Sequence, residues 1–380
     1  MEKTKEENKN NFKNSIKAST GIFQIKNLQD IFAKEKKNFS VEEIMRNMNK
    51  KAGEQVVSLG LVQKRYVRIP FTSPRMNYCT YGGLPEAKLI EFFGEEGGGK
   101  STTALDAIAN FQMLESMKEN PRRPLYIDAE NRLDPEWAQK LNVDLDNMII
   151  STLINQSAED IFDFVLEMIE TGEIGFVVID SLASLMSSKE LDGDIGDLQY
   201  AGISGPLTKF TKRADMDCKK YNCTLIGINQ LRDNLGATWS STKTPGGRCW
   251  RHLCTVRMEF TKGSFINEKG DNIKSSSESP AGNKVLMSMD KNTTCPPNRR
   301  GGFYTINYAN GIDYLMDLVE VALKYNLVQQ SGAWFTIIDP DTGEVKSDKI
   351  QGMSNVYAYL RNEENEGVLT FMEQYIDSKI

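Results

Sequence analysis

Six short apolar runs stand between segments of helical period: LIEFFG (89–94), LYIDAE (125–130), MIIST (148–152), FVVIDS (176–181), TLIGINQ (224–230) and TVRMEF (255–260). Their hydrophobicity is continuous rather than alternating, so both faces of each run must be covered. That is the pattern of a parallel sheet with helices on either side. Between the third and fourth runs, SAEDIFDFVLEMIETG puts Ile161, Val165, Leu166 and Ile169 on one helical face, opens with a Ser157/Asp160 cap and stops at Gly172. It reads as a crossover helix between parallel strands. VLMSMDK and FYTINY read as further strands.

The sheet segment has flanks of different character. Residues 1–65 begin with a basic stretch, 12 Lys or Arg against 7 Asp or Glu over residues 1–51, which predicts an arm or oligomerisation segment rather than an independent core. Within it FQIKNLQDIF and VEEIMRNMNKK have helical spacing, the second with Ser40 and Glu43 set as a capping box. Residues 66–312 form the expected α/β core, and 313–380 a small acidic C-terminal α+β domain, with 5 basic and 12 acidic residues. The single histidine, His252, excludes a multi-His metal site, and Cys249, His252 and Cys254 lack the second half of a zinc motif. The six cysteines form no CxxC pair and follow no apolar leader, and no run reaches the roughly 18 residues of a membrane span. A cytoplasmic protein with reduced thiols and no membrane partner is expected.

Gly94–Ser101, GEEGGGKS, fits G-x-x-x-x-G-K-[ST] directly between an apolar run and the helical stretch TTALDAIANFQML. Here a strand must turn into a helix while aiming successive backbone N–H groups inwards, a path that glycine permits. The loop Gly94, Glu95, Glu96, Gly97, Gly98, Gly99, Lys100, Ser101 and Thr102 would wrap the phosphates of ATP. Lys100 would reach the β and γ phosphates and Ser101 would sit on Mg²⁺. Asp180, closing FVVIDS, supplies the second acidic group for the metal's water shell, and Glu130, two residues past Asp128, is the candidate base for the attacking water.

What such a site drives is read from the loops beyond the later strands, where parallel sheets place ligands. KELDGDIGDLQYAGISGP and LRDNLGATWSSTKTPGGR are long and without helical or strand period. From Gln199 to Lys262 there are 11 Lys or Arg against 4 Asp or Glu, within a chain of net charge −6. Trp239 and Leu235 among Arg232, Lys243 and Arg248 provide the stacking and phosphate-binding groups that single-stranded nucleic acid needs; Lys212 adds to the basic face. Gln230, where sheet passes to loop, has an amide that can meet a γ-phosphate. The acidic tail is a candidate competitor with DNA for this basic surface.

Together these strings resemble the RecA family of bacterial recombinases and their phage relatives. GGLPEAKLIEFFGEEGGGKST, YIDAENRLDPEWAQKL followed by VDLDN, VVIDSLASL with ELDGDIGD, and LIGINQLR followed by GG stand in the family's order. DLVEVALKYNLVQQSGAWF with KIQG resembles its small C-terminal domain. The resemblance implies a RecA-like P-loop NTPase core, a mostly parallel sheet with helices on both faces, between an N-terminal helical arm and an α+β C-terminal domain. It further implies ATP and Mg²⁺ as cofactors and a DNA-dependent ATPase forming a helical homo-oligomeric filament on single-stranded DNA. Homologous double-stranded DNA would be the exchange partner, loading or mediator proteins and a single-stranded-DNA-binding protein the accessories, and the nucleoid the place of action during repair. By position Glu130 becomes the catalytic glutamate and Gln230 the γ-phosphate sensor. Asp134 and Trp137 would meet the adenine, with Tyr308 nearby. Segments 190–206 and 231–247 become the two DNA-binding loops, which adds Gly246 and Gly247 to Arg232 and Leu235.

Departures from the pattern are specific. Of the two lysines expected to reach a neighbour's ATP, Lys291 is present and Thr293 holds the second place, with Arg299 and Arg300 the candidates to stand in. Gly205 replaces an Arg after the first loop. The competing readings are a hexameric helicase on the same core fold and an ATP-gated protein that coats single strands without exchanging them.

Overall fold

A computed structural model describes residues 40–52, 66–152, 156–194, 202–233, 242–273 and 279–380. The chain divides into two compact units, Met1–Arg65 and Tyr66–Ile380. In the first, a helix over Val41–Ala52 is opened by the capping box expected from sequence: Glu43 N donates to Ser40 Oγ at 3.1 Å and Ser40 N to Glu43 Oε2 at 3.1 Å. FQIKNLQDIF lies outside the described residues.

The second unit is built on a ten-stranded sheet. Its strands are β1 Leu89–Gly94, β2 Arg123–Asp128, β3 Ile149–Ser151, β4 Ile174–Asp180, β5 Thr224–Gln230, β6 Val256–Ile266, β7 Asn272–Ile273, β8 Gly282–Asn292, β9 Gly301–Asn307 and β10 Gly311–Ile312. They lie in the order β10-β9-β8-β6-β1-β5-β4-β2-β3, with β7 paired to β6. From β6 to β3 every pairing is parallel, whereas β6 through β10 pair antiparallel. This is the expected α/β core with a mostly parallel centre. The main helices are α1 Lys100–Ser116, α2 Ala158–Glu170, α3 Ser204–Lys220 and α4 Gly247–Leu253.

The continuous apolar runs are explained by which cluster each residue joins. In β4, Phe176 and Val178 pack with Leu105, Ile108 and Phe111 of α1, while Val177 and Ile179 pack with α2 and α3 on the other face. Alternate side chains of a strand point to opposite faces, so a strand covered on both sides has no polar phase. α2 carries the expected cap, with Asp160 N donating to Ser157 Oγ at 3.1 Å, and Gly172 follows its end at φ +75°.

Two readings of extent change. LYIDAE leaves the sheet at Asp128, and TVRMEF continues to Ile266, pairing with β8 from Val256 to Ile266 and with β1 only over Val256–Phe260. Beyond β10 come α5 Tyr314–Lys324, a three-stranded antiparallel sheet of β11 Val328–Ser331, β12 Trp334–Ile337 and β13 Ile350–Gln351, then α6 Met353–Arg361 and α7 Glu366–Lys379. Their apolar cluster includes Ile266 of β6, and buried Asp317 of α5 accepts from Thr305 N of β9 at 3.1 Å. Among the described residues no helix is long and apolar enough to cross a membrane.

Candidate nucleotide site

Adjacent parallel strands bring Gly94, Gln230, Asp180 and Asp128 side by side at their carboxyl ends. Gly94 is in register with Gln230, and Asp128 with Asp180. From Gly94 the chain turns tightly into α1. Gly94 has φ +144°, and a Cβ there would lie 2.0 Å from the Phe260 carbonyl oxygen; Gly99 has φ +90°, and a Cβ there would lie 2.9 Å from Val285 Cγ2. A side chain at either position would therefore break the loop's packing on the sheet, a requirement separate from ligand approach.

Lys100 folds back on this loop, its Nζ donating to Gly94 O at 3.0 Å and Glu95 O at 2.6 Å. Burial lowers its pKa, opposed by the facing Asp180 and Glu130 carboxylates. Ser101 Oγ donates to Asp180 Oδ2 at 2.6 Å, and Tyr126 OH to the same oxygen at 2.7 Å. Burial raises the Asp180 pKa in spite of these two bonds. A phosphate beside Lys100 and a divalent cation beside Asp180 would each reverse the corresponding shift. One hydroxyl and one carboxylate also suit Mg²⁺, which keeps several waters and takes the rest of its shell from phosphates. The donor set thus fits both groups. Among the described residues no cluster of three or more His, Cys, Asp or Glu could hold a metal unaided.

The two carboxylates after β2 separate into different duties. Asp128 accepts the backbone N–H of Arg132 at 3.0 Å and of Leu133 at 2.9 Å, so it shapes the turn. Glu130 faces a cavity of about 360 Å³. Its Oε1 accepts from Gln230 Nε2 at 3.0 Å and Ser181 Oγ at 2.6 Å, and its Oε2 pairs with Arg132 Nη1 at 3.2 Å. Lys100, Ser101, Asp180 and Gln230 line the same cavity.

Beside the loop, Trp137 and Tyr308 flank a slot of about 410 Å³. Trp137 Nε1 donates to Thr102 Oγ1 at 3.2 Å, and Tyr308 OH to Asn283 Oδ1 at 2.9 Å. Asp134 caps the short helix Pro135–Lys140, accepting from Glu136 N at 2.9 Å and Trp137 N at 3.2 Å. Its carboxylate orients the Trp137 backbone as well as lining the cavity. Glu95 contributes its carbonyl to Lys100, and neither cavity is lined by its side chain.

Lys291 lies away from both cavities, with Nζ donating to the carbonyl oxygens of His252 at 2.7 Å and Arg251 at 3.4 Å. Arg299, a candidate to stand in for the second lysine, packs within its own chain. Its guanidinium lies over the Tyr78 and Tyr81 rings and donates to Tyr78 O at 3.1 Å. Arg300 is exposed.

At the second loop, Arg232–Asp233 pairs antiparallel with Thr242–Lys243, closing the loop's base into a hairpin. Arg232 Nη2 donates to Ala183 O at 2.9 Å. Leu235 and Trp239 lie outside the described residues, as do 195–201 of the first loop. Gly246 has φ +100° and packs so closely on α3 that a Cβ would meet Leu207 Cδ2 at 2.4 Å; Gly247, at φ +80°, begins α4. Arg248 and Lys212 are exposed. Sequence reasoning passed over Tyr126, Ser181 and Arg132; only Ser181, next to Asp180, carried a positional signal.

A strand-to-helix phosphate loop, a strand-end aspartate on its serine and a carboxylate held by a neighbouring strand's glutamine define a P-loop nucleotide-binding α/β protein. The sequence model of the RecA N-terminal domain matches residues 39–313. The chain is similar to Protein RecA of Clostridium perfringens (strain 13 / Type A), 34% identical over 303 residues that cover 78% of each chain. It is also similar to Protein RecA of Acinetobacter baylyi, 33% identical over 304 residues, 79% of this chain and 78% of the relative. Protein RecA of Clostridioides difficile (strain 630) is 32% identical over 297 residues, 78% of each. The chain belongs to the RecA family.

Proposed function

We propose that this chain is an ATP-dependent DNA recombinase, acting in DNA recombination and repair. It polymerises on single-stranded DNA, hydrolyses ATP in response, and pairs the bound strand with a homologous duplex. The observation that carries this reading is the Gln230–Glu130 hydrogen bond of 3.0 Å. The residue at which β5 passes into the basic second loop holds the carboxylate assigned to the attacking water, so nucleotide chemistry and loop position share one contact.

In this reading the backbone N–H groups of 95–102 and Lys100 hold the phosphates, and Trp137 and Tyr308 flank the adenine. Ser101 and Asp180 would hold Mg²⁺, which when bound would supply positive charge to the phosphates. Glu130 accepts the proton of the attacking water as its oxygen bonds to the γ-phosphorus and the bond to the ADP oxygen breaks. Gln230 turns its amide from Glu130 to the γ-phosphate and moves the loop base with it. Lys291 reaches a neighbouring protomer's ATP. Arg232, Arg248 and Lys212, with Leu235, Trp239 and Lys243, contact DNA, where Gly246 and Gly247 allow the backbone to approach.

The test is strand exchange with homologous and heterologous duplexes. Exchange restricted to the homologous duplex, lost in Lys100→Ala, is expected; homology-independent behaviour would overturn the recombinase reading. Glu130→Ala is expected to bind ATP, lose hydrolysis and remain on DNA. Hydrolysis at the wild-type rate in that variant refutes the assigned base.

A further inference from the structure

The residues lining the cavity that Glu130 faces include five carboxylates, Glu96, Asp128, Glu130, Asp134 and Asp180. Among these lining residues the cations are Lys100 and Arg132. Phosphoryl transfer concentrates negative charge on the phosphoryl oxygens and the departing ADP oxygen, and needs cations aimed at them. Lys100 lies at the loop floor on the Gly94 and Glu95 carbonyls, while Lys291 of the same chain is held outside. Arg132 lines the same cavity. Its Nη1 is 3.2 Å from Glu130 Oε2 and 3.3 Å from Glu96 Oε1. The other oxygen of Glu130 is 3.0 Å from Gln230 Nε2. The guanidinium is therefore one carboxylate away from the amide assigned to the γ-phosphate.

We propose that Arg132 is a further catalytic residue, a cation supplied to the terminal phosphate from within the same chain. The inference rests on the reading of this cavity as an ATPase site. Arg132 is 68% exposed and Glu96 86%, so their pairing is a solvent-screened surface contact that yields readily to a phosphate. In the exchange Arg132 leaves Glu130 and Glu96 for the γ-phosphate oxygens, and Glu130 is released to take the water proton. As the new oxygen–phosphorus bond forms and the bridge to ADP breaks, the guanidinium fork stabilises the charge passing to the leaving oxygen.

The test is Arg132→Ala, with Arg132→Lys and Lys100→Ala in parallel. ATP hydrolysis is followed with and without poly(dT), together with the affinity for ADP–aluminium fluoride, which mimics the transition state. Expected for Arg132→Ala is a kcat lower by about 10²- to 10³-fold, the scale for losing one such donor, with KM changed less than about threefold. ADP–aluminium fluoride binding should weaken in proportion, and Arg132→Lys should recover part of the rate. A merely structural role would move KM or the unfolding midpoint instead. A kcat within twofold of wild type overturns the proposal, and so does a raised kcat, which would make Arg132 a restraint on Glu130. Equal losses of rate and ATP affinity overturn it as well. Wild-type hydrolysis by Lys100→Ala would refute the ATPase reading itself, whereas a silent Lys100→Ala beside an unaffected Arg132→Ala refutes the arginine alone.

Discussion

Asp106 is buried in the second turn of α1, the helix that begins at the phosphate loop. Its carboxylate accepts from Thr72 N at 3.1 Å and Asn110 Nδ2 at 3.3 Å, tying α1 to the segment that leads into the short helix Pro74–Thr80. Burial outweighs these bonds and pushes its pKa up to about 6 from the ordinary 3.8. A carboxyl whose folded pKa is raised binds its proton more tightly in the folded state. Its favourable effect is therefore complete below the unfolded pKa and is lost as pH rises through about 4 to 6. At 1.36 kcal/mol per tenfold in proton affinity, ionising it in place costs about 3 kcal/mol at pH 7 and about half of that at pH 5. Asp106→Asn keeps the shape and one acceptor oxygen while removing the charge. Its stability relative to wild type should rise by about 1 kcal/mol between pH 5 and pH 7. Urea unfolding followed by tryptophan fluorescence at both pH values, with m-values compared, measures this. A difference between the two proteins that is the same at pH 5 and pH 7 would refute the reasoning, because Asp106 would then not titrate in that window.

Trp137→Ala should weaken ATP binding about tenfold by removing a stacking face, with Trp137→Phe close to wild type; a fluorescent-nucleotide titration reads both, and an unchanged affinity removes Trp137 from the adenine site. Arg257→Met should cost about 3–5 kcal/mol by urea unfolding, because it leaves the fully buried Glu91 carboxylate without its cation. Adding Glu91→Gln should recover a large part of that loss, and simple additivity of the two changes would sink the pairing.

The sequence carried the sheet because β1, β2, β4 and β5 are buried on both faces and so read as unbroken apolar runs. It carried the phosphate loop because the turn requires glycine at Gly94 and Gly99 whatever the ligand. The antiparallel extension was less legible. In β8, Val285, Met287 and Met289 are buried while Leu286 is exposed, and this alternation with an outward leucine gives strand but not direction. The ion-pair chain around buried Glu91 was not legible at all. Glu91, Arg257 and Asp290 read as ordinary polar residues, and only the fold brings strand neighbours from β1, β6 and β8 into one ion-pair chain. Arg132 was missed for a similar reason. Its placement depends on Asp128 holding the Arg132 and Leu133 amides, a turn that no local pattern announces.

The end of β5 is held from both faces, which bears on how nucleotide and loop communicate. Consecutive residues of a strand point to opposite faces. Gln230 meets Glu130 in the cavity, while Asn229 donates to Glu91 at 2.8 Å and to Pro245 O at 3.1 Å. Pro245 lies at the far end of the second loop, next to Gly246. Glu91 in turn receives Arg257, which also bonds Asp290 beside Lys291. The buried Asn229 chain fixes the loop's return strand to the sheet, whereas the Gln230–Glu130 contact opens on the cavity. A γ-phosphate that competes for Gln230 would thus displace the leading edge of the hairpin at Arg232 against a trailing edge anchored in the core. In the proposed reading the motion at the hairpin base would be a change in twist of its two-residue pairing, Arg232–Asp233 on Thr242–Lys243.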